Sequence, residues 1–142
     1  MNNWNIPPCF YRISAKALVL NETRDKFLVC LEENGHWALP GGGLDWGESP
    51  QMSISREIGE EMGLAVTFVA AFPTYFVTYL TRDKSAWVAN LLYETELRDL
   101  TFTPSYECND IRFVNKDDLE RLRVFNTVRE LAEQFDPKRH RR

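Results

Sequence analysis

The sequence predicts an α+β fold, a mixed β-sheet with helices packed on it, and three observations carry that prediction. Apolar residues alternate from Tyr11 to Leu20 in the two-residue period of a half-buried strand. Further short apolar runs, bounded by turn residues, recur down the chain. Between them stands one helix-length segment, opened by Ser49-Pro50 and closed by Gly63.

Taken in order, Tyr11, Ile13, Ala15, Ala17 and Val19 form the inward set of the first strand. Turn-like Asn21–Asp25 leads into a second run, Lys26–Leu31. Asn34-Gly35 turns the chain into a short strand, Trp37–Leu39, which Pro40 closes. Gly41-Gly42-Gly43 reads as irregular backbone that turns sharply or approaches something closely. In the helix that follows, Ser49 is the N-cap, Pro50 the first helical residue and Gly63 the left-handed stop. Strands are then expected at Ala65–Phe72, Tyr75–Leu80, Trp87–Tyr93 and Ile111–Val114, with a hairpin turn at Arg82-Asp83-Lys84. Asp117–Leu122 and Thr127–Phe135 read as helices.

At 142 residues the chain suits a single domain, with 44% hydrophobic and 13% aromatic residues arguing against disorder. Lys138–Arg142, after Pro137, reads as a flexible basic tail over 137–142. The net charge of −4 gives no global basic field, so no specific nucleic acid is expected as a partner. No run reaches membrane-spanning length, so no membrane is expected either. Cys9, Cys30 and Cys108 lack CxxC spacing, which excludes a zinc ribbon and a disulfide framework. With no signal-like segment in Met1–Asn5, a reducing cytoplasm is the expected compartment.

The chemistry concentrates between Gly42 and Leu64. Glu57, Glu60 and Glu61 sit at helical spacings that put three carboxylates within about a third of the circumference. An adjacent stripe, Ile54, Ile58 and Met62, is expected to bury against the sheet. Hard oxygen ligands on a rigid element suit Mg²⁺ or Mn²⁺, and the glycine loop can bring backbone to the same place. An acidic helix alone is more often a solvated face. The full spacing decides otherwise: Gly42, Glu48, Arg56, Glu57, Glu60, Glu61 and Gly63, with aliphatic Ile58 and Leu64. At average residue usage those seven fixed positions match by chance on the order of 10⁻⁹ times per start.

That stretch, residues 42–64, resembles the Nudix box, G-x5-E-x7-R-E-U-x-E-E-x-G-U, and Trp37–Gly43 resembles the strand and loop that precede it. The resemblance implies an α/β/α sandwich with a mixed sheet between helices. It implies Mg²⁺ or Mn²⁺ held by Glu57, Glu60, Glu61 and the Gly42 carbonyl, with Arg56 and Glu48 in support. It implies cleavage of a small nucleoside diphosphate linked to another group, by water attack at phosphorus. Glu57 is one candidate general base. Glu107 and Asp110, ahead of a late strand, are others, and Glu107 is preferred. Arg12, Trp46 and Tyr79 are the candidate substrate contacts, whereas Trp37, Tyr75, Phe76 and Trp87 read first as core and sheet-face residues. By elimination a MutT-like nucleoside triphosphate pyrophosphatase leads. A nucleotide-sugar or dinucleoside-polyphosphate hydrolase follows, and a non-catalytic nucleotide-sensing module is the reading from another class. Homodimers are common in the family.

Overall fold

A computed structural model describes residues 10–81 and 83–141. The expectations for Met1–Asn5, Cys9 and Arg82, and for Arg142 at the end of the tail, fall outside those residues. Eight strands and two α-helices follow one another as β1 (Tyr11–Leu18), β2 (Phe27–Leu31), β3 (Trp37–Ala38), β4 (Gly41–Gly43), α1 (Pro50–Met62), β5 (Val66–Val69), β6 (Tyr75–Leu80), β7 (Trp87–Leu97), β8 (Asp110–Val114) and α2 (Asn126–Gln134). Two 3₁₀ turns, Lys116–Arg121 and Pro137–His140, flank α2.

The larger sheet runs β4-β1-β7-β5, with β6 also pairing with β7; the smaller runs β3-β2-β8. β1 and β7 are parallel, and every other strand pair is antiparallel, so the sheet is mixed as expected. β7 is long because its first half pairs with β6 and its second half with β5. The bridge between Leu20 and Phe27 ties the two sheets together.

Helices cover both faces. On one side Ile54, Ile58 and Met62 of α1 pack with Ala15, Ala17, Leu28, Cys30 and Tyr93. On the other, Val128 and Leu131 of α2 pack with Leu18, Phe27, Val77 and Leu92. Successive strand residues point to opposite faces, so both sets of β1 side chains are buried from Ser14 onward except Lys16, which is half-buried. No described helix is long and apolar enough to cross a membrane.

Three expectations need correction. Gly41–Gly43 is a strand, because its backbone pairs with Ser14, Ala15 and Lys16 at the edge of β1. Phe76 and Trp87 are 56% and 44% exposed and do not join the core, unlike Tyr75 and Trp37. The expected tail folds back: His140 is buried, its ring bonded to Tyr75 Oη at 2.8 Å and to Glu94 Oε1 at 2.5 Å, and its carbonyl accepts from Arg24 Nε. The chain is anchored there by a polar cluster that hydropathy does not reveal.

The limits of α1 are set as its sequence predicts. Ser49 Oγ accepts from Met52 N–H at 3.1 Å, and Gly63 takes φ of 65° while donating to the Gly59 carbonyl. A side chain at Gly63 would be strained and would press on Thr103 Oγ1 at 3.3 Å. Gly63→Ala is therefore expected to lower unfolding free energy by about 1–2 kcal/mol, read as a lower urea midpoint at unchanged slope.

Candidate active site

α1 carries the acidic residues into three different environments. Ile54, Ile58 and Glu61 follow one another at spacings of four and three, so Glu61 belongs to the stripe that packs on the sheet. It is 8% exposed. Beneath it lies Cys30 of β2, Sγ 4.0 Å from Glu61 Oε2. Glu57, one turn earlier, is half-buried, whereas the Glu60 side chain is 57% exposed and turned to solvent. The three carboxylates thus share a helix but not a face. Among the described residues no group of three or more His, Cys, Asp or Glu side chains is gathered as a metal cage.

Burial pushes the Glu61 carboxyl up to about 8; Lys16 opposes the shift, and the neighbouring Glu57 adds to it. The Cys30 thiol is pushed up as well, by its contact with Cys108, by burial and by Glu61. Both directions mark a dry pocket with negative charge in excess.

Arg56 organises the acidic set. Its guanidinium grips Glu48 through two bonds, Nε to Oε2 at 2.8 Å and Nη2 to Oε1 at 3.0 Å. Nη1 reaches Glu57 at 3.1 Å and Glu60 at 3.3 Å, and Nη2 reaches Asp45 at 3.4 Å. That hold, led by the hydrogen bond, brings the Glu48 carboxyl down to about 2, and the carboxylates raise the guanidinium above its ordinary value. Glu48 also accepts from Asp45 N–H at 3.1 Å, which fixes the loop before the helix. Arg56 is thereby committed to carboxylates.

The glycine strand lies against this cluster. A Cβ on Gly42 would fall 2.7 Å from Glu57 Oε1, so any larger residue there would displace that carboxylate. A Cβ on Gly43 would collide with the guanidinium of Arg12, which places Arg12 beside the strand. Gly41 presents its carbonyl to Lys16 Nζ at 3.0 Å.

Two clefts open here and share Lys16, Glu32 and Leu39. The first, about 520 Å³, is walled by Gly41, Glu61, Tyr106 and Glu107. The loop bearing Glu107 is pinned to α1: Ser105 Oγ donates to the Glu61 carbonyl at 2.9 Å and accepts from Glu107 N–H at 3.2 Å. The second, about 430 Å³, is walled by His36, Tyr79, Asn90 and Phe125.

Of the residues singled out in the sequence, Gly42, Glu48, Arg56, Glu57 and Glu61 converge. Glu107 lines one cleft with Glu61, and Tyr79 lines the adjoining cleft. Asp110 lines neither cleft. Trp46 is fully exposed and meets neither, and Arg12 lines a separate groove with Tyr11 and Trp87. Sequence reasoning missed Lys16, Glu32 and Asn90. An available signal for Asn90 was its polarity inside the apolar run Trp87–Tyr93.

A family model described as the NUDIX domain matches residues 10–135. The nucleoside triphosphatase NudI of Enterobacter sp. (strain 638) is 30% identical over 104 residues, covering 67% of this chain and 72% of that protein. Nudix hydrolase 26, chloroplastic, of Arabidopsis thaliana is 31% identical over 74 residues. That match covers 51% of this chain and 34% of the plant protein, so the chain spans about a third of that relative's length. Among solved structures, the MutT protein from Methanosarcina mazei Go1 superposes with a TM-score of 0.72 at 25% identity, covering 96% of this chain and all of that one.

Proposed function

Because the chain belongs to the NUDIX family, we propose that it hydrolyses a nucleoside diphosphate linked to a further group. A nucleoside triphosphate, split to monophosphate and pyrophosphate, is the lead substrate. One observation carries the reading: a buried carboxylate, Glu61, stands beside Glu57 and the glycine strand at a cleft whose nearest cation is Lys16.

A divalent cation fits these residues. Glu61 is held out of water among like charges, a state that a positive ion relieves. Glu57, Glu61 and the Gly42 backbone are the residues that would hold Mg²⁺ or Mn²⁺, with Glu60 reaching it by turning from solvent or through water. When bound, such an ion neutralises phosphate charge and makes water a better nucleophile at neutral pH.

The chain's own side chains do the rest. Lys16, already facing the Gly41 and Leu39 carbonyls, offers its ammonium to phosphate oxygens entering either cleft. Arg56 keeps Glu57 oriented while Glu48 keeps Arg56 in place, so the acidic cluster is set before substrate arrives. Glu107, on the loop that Ser105 pins to α1, takes a proton from the attacking water at its carboxylate oxygens. Tyr79 lines the path toward the rest of the nucleotide.

The test is a turnover screen with Mg²⁺ or Mn²⁺ across nucleoside triphosphates, oxidised dGTP, nucleotide sugars, ADP-ribose and dinucleoside polyphosphates. Metal-dependent release of pyrophosphate from a triphosphate supports the lead. Release of phosphate esters from a nucleotide sugar or dinucleotide moves the assignment to that class. Nucleotide binding without any product would mean a sensing module. For Glu107→Gln, kcat is expected to fall about 10²–10³-fold with KM little changed. A variant with near wild-type kcat removes Glu107 from the mechanism.

A further inference from the structure

The second cleft holds an unusual concentration of unsatisfied polarity. Asn90 is completely buried, yet neither its Nδ2 nor its Oδ1 has a hydrogen-bond partner among the described residues. His36 Nδ1 in the same cleft is likewise buried without a partner. Three of the four such atoms in the described chain therefore belong to residues lining this one cleft. Buried polar groups are almost always satisfied, because leaving them unpaired costs more than a hydrogen bond returns. An unpaired residue at a cleft has room for a partner from outside, a water or a ligand group.

Position explains how Asn90 comes to be there. β7 is flanked by β1 and β6 at this point, with Asn90 opposite Ser14 on one side and Val77 on the other. Two residues on, Leu92 packs with the α2-side core, so Asn90 shares that face. An apolar side chain would complete the layer, and valine or leucine fits the strand better than asparagine. Lys16 lies on the same face of the neighbouring strand and borders both clefts. His36 and Phe125 stand on the cleft wall with ring centroids 5.1 Å apart and planes tilted by 33°, offering an aromatic surface.

Resting on the hydrolase reading above, we propose that Asn90 selects the nucleobase of the substrate. Phosphates at the carboxylate cleft leave the nucleoside end to reach across Lys16 into the second cleft. There the Asn90 carboxamide offers one donor and one acceptor side by side, the pattern that reads a base edge carrying an acceptor next to a donor. His36 and Phe125 supply an aromatic wall. Asn90 is far from the acidic cluster in role: it sets which nucleotide is held, while Glu57 and Glu61 act on the diphosphate of any of them.

The experiment uses the full chain in three forms: wild type, Asn90→Val and Asn90→Asp. Binding of the α,β-methylene analogues of ATP, GTP, CTP and UTP is measured by calorimetry in Ca²⁺. KM and kcat for the parent nucleotides are measured in Mg²⁺. Wild type is expected to favour one base. Asn90→Val should weaken that base at least about tenfold while changing the others little, flattening the ranking with kcat within about twofold. Asn90→Asp, which accepts but does not donate, should re-rank the bases toward those presenting donors. Asn90→Val should also melt no lower than wild type, because it removes unpaired buried polarity; Asn90→Ser carries the same test if the valine variant does not fold. An unchanged ranking in Asn90→Val overturns the proposal, and Asn90 then merely holds a buried water. So does a wild type that binds all four analogues equally or none. Base-dependent binding without turnover would instead sink the hydrolase reading and leave the role of Asn90 standing.

Discussion

Replacing Glu61 with glutamine is expected to abolish turnover and, at the same time, to stabilise the metal-free protein at neutral and alkaline pH. The first effect follows from removing the one fully buried carboxylate of the site. Losing about 4 kcal/mol of charge stabilisation lowers kcat/KM by about 10³-fold. The second follows from burial. The carboxyl titrates near 4.5 when free and near 8 in the folded chain. Between those values the folded protein binds more protons than the unfolded one, so stability falls as pH climbs from about 4.5 to about 8 and is level beyond. Glutamine, uncharged at every pH, escapes that loss, and the gain is on the order of a few kcal/mol at pH 8. Thermal melts of both proteins at pH 5, 7 and 9 would show the curves separating as pH rises. Adding Mg²⁺ should raise the wild-type midpoint and leave the variant unmoved. A variant that melts lower at pH 9, or keeps a tenth of its activity, would remove Glu61 from the role given to it.

Gly42→Ala is the second substitution with a large expected effect, and it needs no change of charge. Gly42 has no left-handed φ to protect, so alanine is unstrained in the backbone of β4. The new methyl instead lands 2.7 Å from Glu57 Oε1 and 2.9 Å from its carboxyl carbon. Glu57 must move by most of an ångström, and it pulls on Arg56, which holds it at 3.1 Å. Misplacement of that size costs catalysis on the order of 10²-fold. The expected result is kcat down about 10²-fold with the melting temperature within a few degrees of wild type. If activity survives, the approach of β4 to α1 is not needed for turnover.

The parts of the molecule that could be read from the chain are those written in local rules. Ser49, Pro50 and Gly63 delimit α1 to the residue because caps act on their own backbone. The acidic spacing likewise belongs to one helix. What could not be read depends on neighbours distant in sequence. Gly41–Gly43 has no strand propensity and becomes a strand through the free edge of β1. Lys16 reads as an outward residue if one face of β1 meets water. With Leu18 and Leu92 of that face packed against α2, it becomes the cation shared by two clefts. Glu61 and Glu60 are adjacent letters in one acidic pattern, and the contact of α1 with β2 separates them into a buried and a solvated carboxylate. His140 is buried because Tyr75 and Glu94 bond its ring, and both lie in strands far upstream.

The position of β7 also bears on how the protein reaches its native state. Its parallel pairing joins Tyr11 to Trp87 and continues to Leu18 and Glu94, so the centre of the larger sheet joins two stretches separated by more than half the chain. Such non-local pairing must meet the entropy of loop closure before it returns any energy, and it slows folding relative to a helical protein of this size. β4 can dock only on a β1 already held in place, and Glu57 meets Gly42 only when β4 has docked. Competence for chemistry is therefore expected late in folding, after this non-local pairing. In a refolding time course, regain of activity should trail regain of helical signal.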